Sequence, residues 1–491
     1  MKHTFSLTLI ATLLNLTTTS GLAGAEEPHY DAADSVLYHN ATLINPATEQ
    51  LLTDGWLLVQ DGHIVQMGQQ QASASLPVAT KRIDLQDHYV MPGLIDVHLH
   101  LTAGPMRVEM QDGKPVITLK GHSELTRYHA ISTLATGVTT AFSPAGEPEA
   151  NAEYMRQQQA GNWQGPKLSY AGFVFEPTPI LGGSVYPKTA ADWQAEIASQ
   201  KAQGAKYIKL YQGLSKDEVA MGIRLAQAAG LKAIAHLDSV SWQYAADLGI
   251  DALTHALPTS AELLTGDSKA AYLAERKNPH SGRFTYNWFK HADYDNAPMQ
   301  QLFATLAQQQ TRIDLTLVAN ELIYFARELE TLYPEADMWV YHPQMRKGWR
   351  GALAAPSYDW TAEEVATAQQ QMPKVQQLFK RLYDAGVPLA IGTDSVARGP
   401  FYLRELQLSQ AAGLTNWQVL QLATIGGARH LDLSDTGQLA VGYVADFIVL
   451  PGNPVTDLNA LTNVHTVVQQ GKARRVEALK AELTNLTNVS L

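Results

Sequence analysis

Apolar and polar residues follow two textures along this chain. Between residues 34 and 60 they alternate closely, in Val36-Leu37-Tyr38, Ala41-Thr42-Leu43-Ile44 and Trp56-Leu57-Leu58-Val59. Such period-two patterning is that of half-buried β-strands. Asn45-Pro46 and Asp61-Gly62 supply turns, and Trp56 to Val65 reads as a hairpin pivoting on Asp61-Gly62. After residue 91 the texture changes. Short apolar runs now alternate with longer amphipathic segments. The runs are Leu94 to His100, Gly137 to Thr140, Leu168 to Phe175, Tyr207 to Leu210, Ala233 to His236, Ala252 to His255, Ile313 to Val318 and Pro388 to Gly392. Helical patterns lie between them, for example over 190–203, 215–229 and 370–385. Eight strand-then-helix units predict an α/β fold, a closed (β/α)8 TIM barrel with its helices outside. From 439 the β texture returns, in Val444 to Leu450 and Val464 to Gln469. Two β segments flanking the barrel predict one small β-sandwich built from both chain ends.

Two connections exceed the length of bare βα loops. Residues 257–300 follow the sixth strand and 320–365 follow the seventh. They carry Tyr286, Trp288, Phe289, Trp339, Tyr341, Trp349, Tyr358 and Trp360. Long loops on the C-terminal face of a barrel overhang the site, so a lid, a substrate wall or a dimer interface is expected there.

The chemistry is read at the strand ends. His98 and His100 close the first apolar run with one residue between them, so on a strand they share a face. Two imidazoles from one strand end make half of a metal site. Lys209, His236, His255 and Asp394 stand at the ends of four further runs. Strand C-termini converge in a barrel, so six side chains from five strands can meet. Four imidazoles, one carboxylate and one lysine have the stoichiometry of a two-metal hydrolase. A buried lysine loses its proton readily. Its neutral amine can take up carbon dioxide, and the resulting carbamate has two oxygens with which to bridge two cations.

These residues lie within a longer ordered set. It comprises Pro92-Gly93-Leu94-Ile95-Asp96-Val97-His98-Leu99-His100, Gly137-Val138-Thr139-Thr140, Ile208-Lys209, His236, His255, Gly392-Thr393-Asp394-Ser395, Ala423-Thr424 through Ala428-Arg429, and Gly442 to Asp446. The set resembles the metal-dependent amidohydrolase superfamily over about residues 35–472, in its exported, prolidase-like and imidazolonepropionase-like branch. The resemblance implies His98, His100 and Asp394 on one metal, His236 and His255 on the other, and Lys209 bridging. The expected function is hydrolysis of an amide-type carbon–nitrogen bond by a metal-activated hydroxide, with Asp394 as catalytic base. Zinc suits these ligands, and manganese or iron(II) remain open. A prolidase-like dipeptidase, a ring deaminase and a lactonase are alternatives on the same centre, because fold and metals do not fix the scissile bond. Deaminases of the superfamily generally lack the bridging lysine, which Lys209 counts against. A non-catalytic binding protein would be expected to have lost ligands. Tyr211 and Arg398 are weaker candidates, as contacts to a substrate carbonyl and carboxylate. Asp96 reads as a supporting residue, and His122 and His129 as helix packing.

Composition narrows the setting. The 491 residues are 45% apolar and 17% charged, with 36 basic and 47 acidic side chains and a net charge of −11. No basic run points to nucleic acid or an anionic membrane. The chain has no cysteine, so a metal must be held by nitrogen and oxygen. Residues 1–25 read as a signal peptide: Lys2, an apolar Phe5-to-Leu16 segment, and small residues Ala23-Gly24-Ala25 before Glu26. The expected organisation is a signal peptide over 1–25, the first part of the sandwich over 26–90, the barrel over 91–430, and the rest of the sandwich with a tail over 431–491. A periplasmic or secreted protein is expected, with a small-molecule partner, no membrane span once the signal is removed, and a homo-oligomer left open.

Overall fold

The computed structural model describes residues 35–71, 75–105, 107–111, 114–118, 120–177, 181–276, 283–346, 357, 359–395 and 399–487. The expected signal peptide and Arg398 lie outside them.

Among the described residues eight strands run parallel in chain order. They are Leu94–Asp96, Val138–Ser143, Lys167–Phe175, Tyr207–Leu210, Lys232–Ala235, Ala252–Leu253, Arg312–Asp314 and Leu389–Ala390. Backbone bonds join the last to the first: Val97 N–H donates to the Ile391 carbonyl at 2.9 Å and His100 N–H to that of Ser395 at 2.7 Å. The sheet is thus a closed barrel. Most of these strands are short and largely buried, which explains why the sequence shows brief apolar runs and no alternation. The seventh strand ends earlier than expected. Thr316 takes a left-handed φ of +43° and Leu317 begins a helix, Leu317–Tyr324.

The outer helices start where capping chemistry dictates. Ser215 and Thr189 close capping boxes with Glu218 and Asp192. Helix Ala362–Asp384 begins eight residues before the expected position, at a Thr361–Glu364 capping box, and carries Pro373 in its interior.

Strands from both chain ends form one seven-stranded mixed sheet. Lys81–Pro92 pairs in parallel with Val36–Asn45 on one side and antiparallel with Phe447–Leu450 on the other. The Asp61-Gly62 hairpin is present, joining Gln50–Gln60 to His63–Gln69, and both turn residues have positive φ, at +49° and +78°. That is the conformation a two-residue hairpin requires. His63 bridges back to Val444, so the sheet curls around its own core of Tyr38, Leu57, Ile64, Val90 and Phe447.

The two long connections are helical and packed. Trp288 and Phe289 are fully buried, and Tyr286, Tyr341 and Trp360 nearly so. These five form the core of a layer over the barrel, and Trp339 is half-buried beside them. Trp349 and Tyr358 lie outside the described residues. A further three-stranded sheet, Arg107–Gln111, Lys114–Thr118 and Leu181–Gly182, grows from the connections after the first and third barrel strands.

Candidate metal centre

His98 and His100 sit just past the first strand, where the chain threads between its barrel neighbours. Leu99 N–H donates to the Phe142 carbonyl, while Leu99 itself bridges Ser395 in parallel register. Beneath this seam the buried Asp96 carboxylate accepts the N–H groups of His98 and Thr393 at 3.0 and 3.2 Å, and the Thr393 hydroxyl at 2.8 Å. Gly392 is obligatory here, since a Cβ on it would stand 2.6 Å from His98 Cβ. The residue before Asp394 is therefore locked, and Asp394 turns out of the strand at φ +54°.

The six side chains expected to meet do gather. Asp394 Oδ1 lies 3.2 Å from His98 Nε2 and 3.1 Å from His100 Nε2. Its other oxygen is 3.8 Å from His255 Nδ1. The His98 and His255 rings are 4.7 Å apart between centroids, and those of His255 and His236 are 4.5 Å apart. Lys209 lies close enough to interact electrostatically with Asp394 and His236, and its ammonium donates to Thr254 Oγ1 at 3.1 Å. His98, Lys209, His236 and His255 are buried, whereas His100 and Asp394 are partly exposed and form the solvent side. Tyr211 packs edge-on to His236 at 4.9 Å, and burial raises its phenol well above the ordinary value.

Asp314 belongs to the site and was not expected. It ends the seventh strand, fully buried, with Oδ2 3.2 Å from His98 Nδ1 and Oδ1 accepting His255 N–H at 3.0 Å. The only sequence signal for it was an acidic residue inside an apolar run. His122 caps helix Ser123–Ala135 and His129 is fully buried in that helix. His129 thus packs as expected, whereas His122 stands just outside the helix and accepts the Leu125 N–H as its cap.

The electrostatics favour a cation. Burial lowers His236 to about 3 and, with the His236 ring beside it, takes His255 well below its ordinary value, so both offer neutral lone pairs. Burial lowers Lys209 to about 8, against the pull of Asp314 and Asp394. His98 goes the other way. Burial alone would lower it, but Asp314 and Asp394 outweigh that and raise it to about 9. A proton is thus drawn into a nest of carboxylates and imidazoles. Two trios, His98–His100–Asp394 and His98–His255–Asp314, have their donor atoms within 4.8 Å of one another. His236 Nδ1 is buried without a hydrogen-bond partner. The donor set and this orphaned nitrogen fit divalent cations.

A closed parallel barrel that collects imidazole, carboxylate and lysine donors at its strand C-termini defines a class of barrel proteins with a candidate metal centre. Residues 89–474 match the model of the amidohydrolase family, and the chain belongs to that family. It is similar to imidazolonepropionase of Deinococcus deserti, with 39% identity over 83 residues, 16% of this chain and 21% of that protein. It is also similar to ochratoxinase of Aspergillus niger, with 29% identity over 127 residues, 25% of this chain and 26% of that one. The aligned stretches thus span only about a fifth to a quarter of these curated relatives. In three dimensions the chain resembles the crystal structure of a Xaa-Pro dipeptidase with bound methionine in the active site. The TM-score is 0.63 at 19% identity, over 90% of this chain and 100% of that one.

Proposed function

We propose that the protein is a cation-dependent hydrolase of carbon–nitrogen bonds in small amide-type substrates. The observation that carries this reading is the convergence of His98, His100, Lys209, His236, His255 and Asp394 at one end of the barrel. His98, His100 and Asp394 would hold one divalent ion, His236 and His255 a second, and Lys209, as its carbamate, would reach both. Bound there, the ions, zinc by donor preference, would acidify a water molecule and polarise the scissile carbonyl.

The protein's own residues supply the proton path. Burial would raise the Asp394 carboxyl, but His98, His100 and His255 hold it well below its ordinary value, so it is ionised at neutral pH. It accepts a proton from the attacking water and delivers it to the leaving nitrogen. Tyr211 keeps its proton across the working range and serves as a donor to the substrate carbonyl. The candidate substrates are dipeptides, N-acyl amino acids and cyclic amides. The chain is read as an exported one, with cleavage after Ala25. No helix among the described residues is long and apolar enough to cross a membrane.

The test is elemental analysis of the purified protein, followed by a hydrolysis screen of the metal-loaded form on dipeptides, N-acyl amino acids, cyclic amides and lactones. About two divalent ions per chain and turnover of an amide are expected. No bound ion after reconstitution with zinc and bicarbonate would end the proposal.

A further inference from the structure

The four imidazoles do not face the centre in the same way. His100 Nδ1 lies 3.2 Å from the Ala145 carbonyl and His255 Nδ1 3.0 Å from Thr316 Oγ1, while His98 Nδ1 is 3.2 Å from Asp314 Oδ2 as an ion-pair contact without hydrogen-bond geometry. For His98 and His100 the free Nε2 then points at Asp394. His236 is reversed. Its Nε2 lies 2.9 Å from the side-chain amide nitrogen of Gln212, and its Nδ1 is buried without a hydrogen-bond partner. Gln212 is itself 6% exposed, so water does not substitute for this contact.

A neutral imidazole carries one proton, and the two placements differ in cost. With the proton on Nδ1, the amide nitrogen of Gln212 donates to Nε2 and a buried N–H is left that neither the protein nor a cation can satisfy. With the proton on Nε2, the amide oxygen of Gln212 accepts it and Nδ1 is left as a lone pair. A cation satisfies that lone pair, whereas no cation can satisfy an N–H. The two ends of an amide have the same shape, so a half-turn of the Gln212 amide exchanges them without disturbing the packing.

We propose that Gln212 is a positioning residue: its amide oxygen accepts His236 Nε2–H and thereby fixes the tautomer that presents Nδ1 to a cation. Gln212 lies three residues past Lys209, on the segment leaving the strand Tyr207–Leu210. One strand end therefore supplies both a candidate ligand and the lock on a ligand of the next strand. This assignment rests on the cation-dependent reading of the site and is independent of the substrate.

Two readouts on the full chain test it. Long-range 1H–15N spectra of the metal-free protein should show His236 as the Nε2–H tautomer. In Gln212→Leu that signal should move toward a mixture. Zinc affinity at the weaker-held position, measured by competition with a chromophoric chelator, should fall about 10–100-fold. Gln212→Glu keeps an acceptor and should retain the tautomer and most of the affinity. An Nδ1–H signal in the unsubstituted protein, or unchanged zinc affinity in a folded Gln212→Leu, would overturn the proposal. A chain that binds no zinc at all would sink the cation-dependent reading, while the tautomer spectrum would still decide the role of Gln212.

Discussion

At Lys209 the surroundings set the chemistry. With its pKa lowered to about 8, roughly one amine in ten is neutral at pH 7, enough to react with carbon dioxide. Lys209→Ala should lose at least about 100-fold in activity, and short carboxylic acids should restore part of it by occupying the place of the proposed carbamate oxygens. Activity equal to that of the unsubstituted protein would remove the lysine from the mechanism. Backbone conformation adds a second constraint. His255 (φ +72°), Thr316 (+43°) and Asp394 (+54°) all adopt left-handed geometry. For a β-branched residue such as Thr316 this costs about 1–3 kcal/mol and persists only where the surroundings enforce it. Such strain leaves no mark in a sequence. The six polar side chains at apolar strand ends were legible, because burying them without a task would be costly. Asp314 and Gln212 were not. Their meaning lies in which imidazole nitrogen they face, and Asp314 meets His98 across more than two hundred residues.

Elements were legible to the extent that local chemistry specifies them. The barrel strands stood out because each is an apolar run, and the helices over 190–203 and 215–229 because their amphipathic patterns agree with the capping boxes that start them in the structure. Helix Ala362–Asp384 was read eight residues late, past its Thr361–Glu364 capping box. Its first half is held by tertiary contacts. Arg283, on helix Arg283–His291, meets Glu364 at 2.7 Å and Asp359 at 3.1 Å, fastening the sixth connection to the seventh. The Arg283 bond lowers Glu364 from 4.5 to about 2. A depressed carboxylate contributes its stability above its unfolded value, and loses it as pH falls from about 4.5 toward 2. Glu364→Gln keeps the cap and removes the charge. It should unfold in urea about 1 kcal/mol more easily than the unsubstituted protein at pH 6, with the gap closing near pH 2.5. A gap independent of pH would assign the contact to packing.

For the whole molecule, texture announced a β unit drawn from both ends of the chain, but not how its strands pair. Val36–Asn45 pairs in parallel with Lys81–Pro92, a direction that alternation does not report, because it marks the buried face of a strand and not the course of its neighbour. The N-terminus belongs to this scale as well. If the chain is exported as read, N-terminal sequencing of the mature protein should begin at Glu26, and an intact Met1 would refute cleavage.

The pairing of Lys81–Pro92 with Phe447–Leu450 has a consequence in time. On the ribosome the N-terminal strands are finished early, yet one edge of the sheet stays open until the C-terminal strand emerges. Roughly 350 residues of synthesis intervene, on the order of 20–70 s at ordinary elongation rates. Throughout that interval Lys81–Pro92 offers unpaired backbone to any neighbouring chain, so nascent copies are at risk of joining one another before they can close on themselves. Closure of this sheet is therefore deferred to the end of synthesis. If the chain is exported as read, such a delay suits a polypeptide that must stay unfolded while it is threaded through a translocation channel.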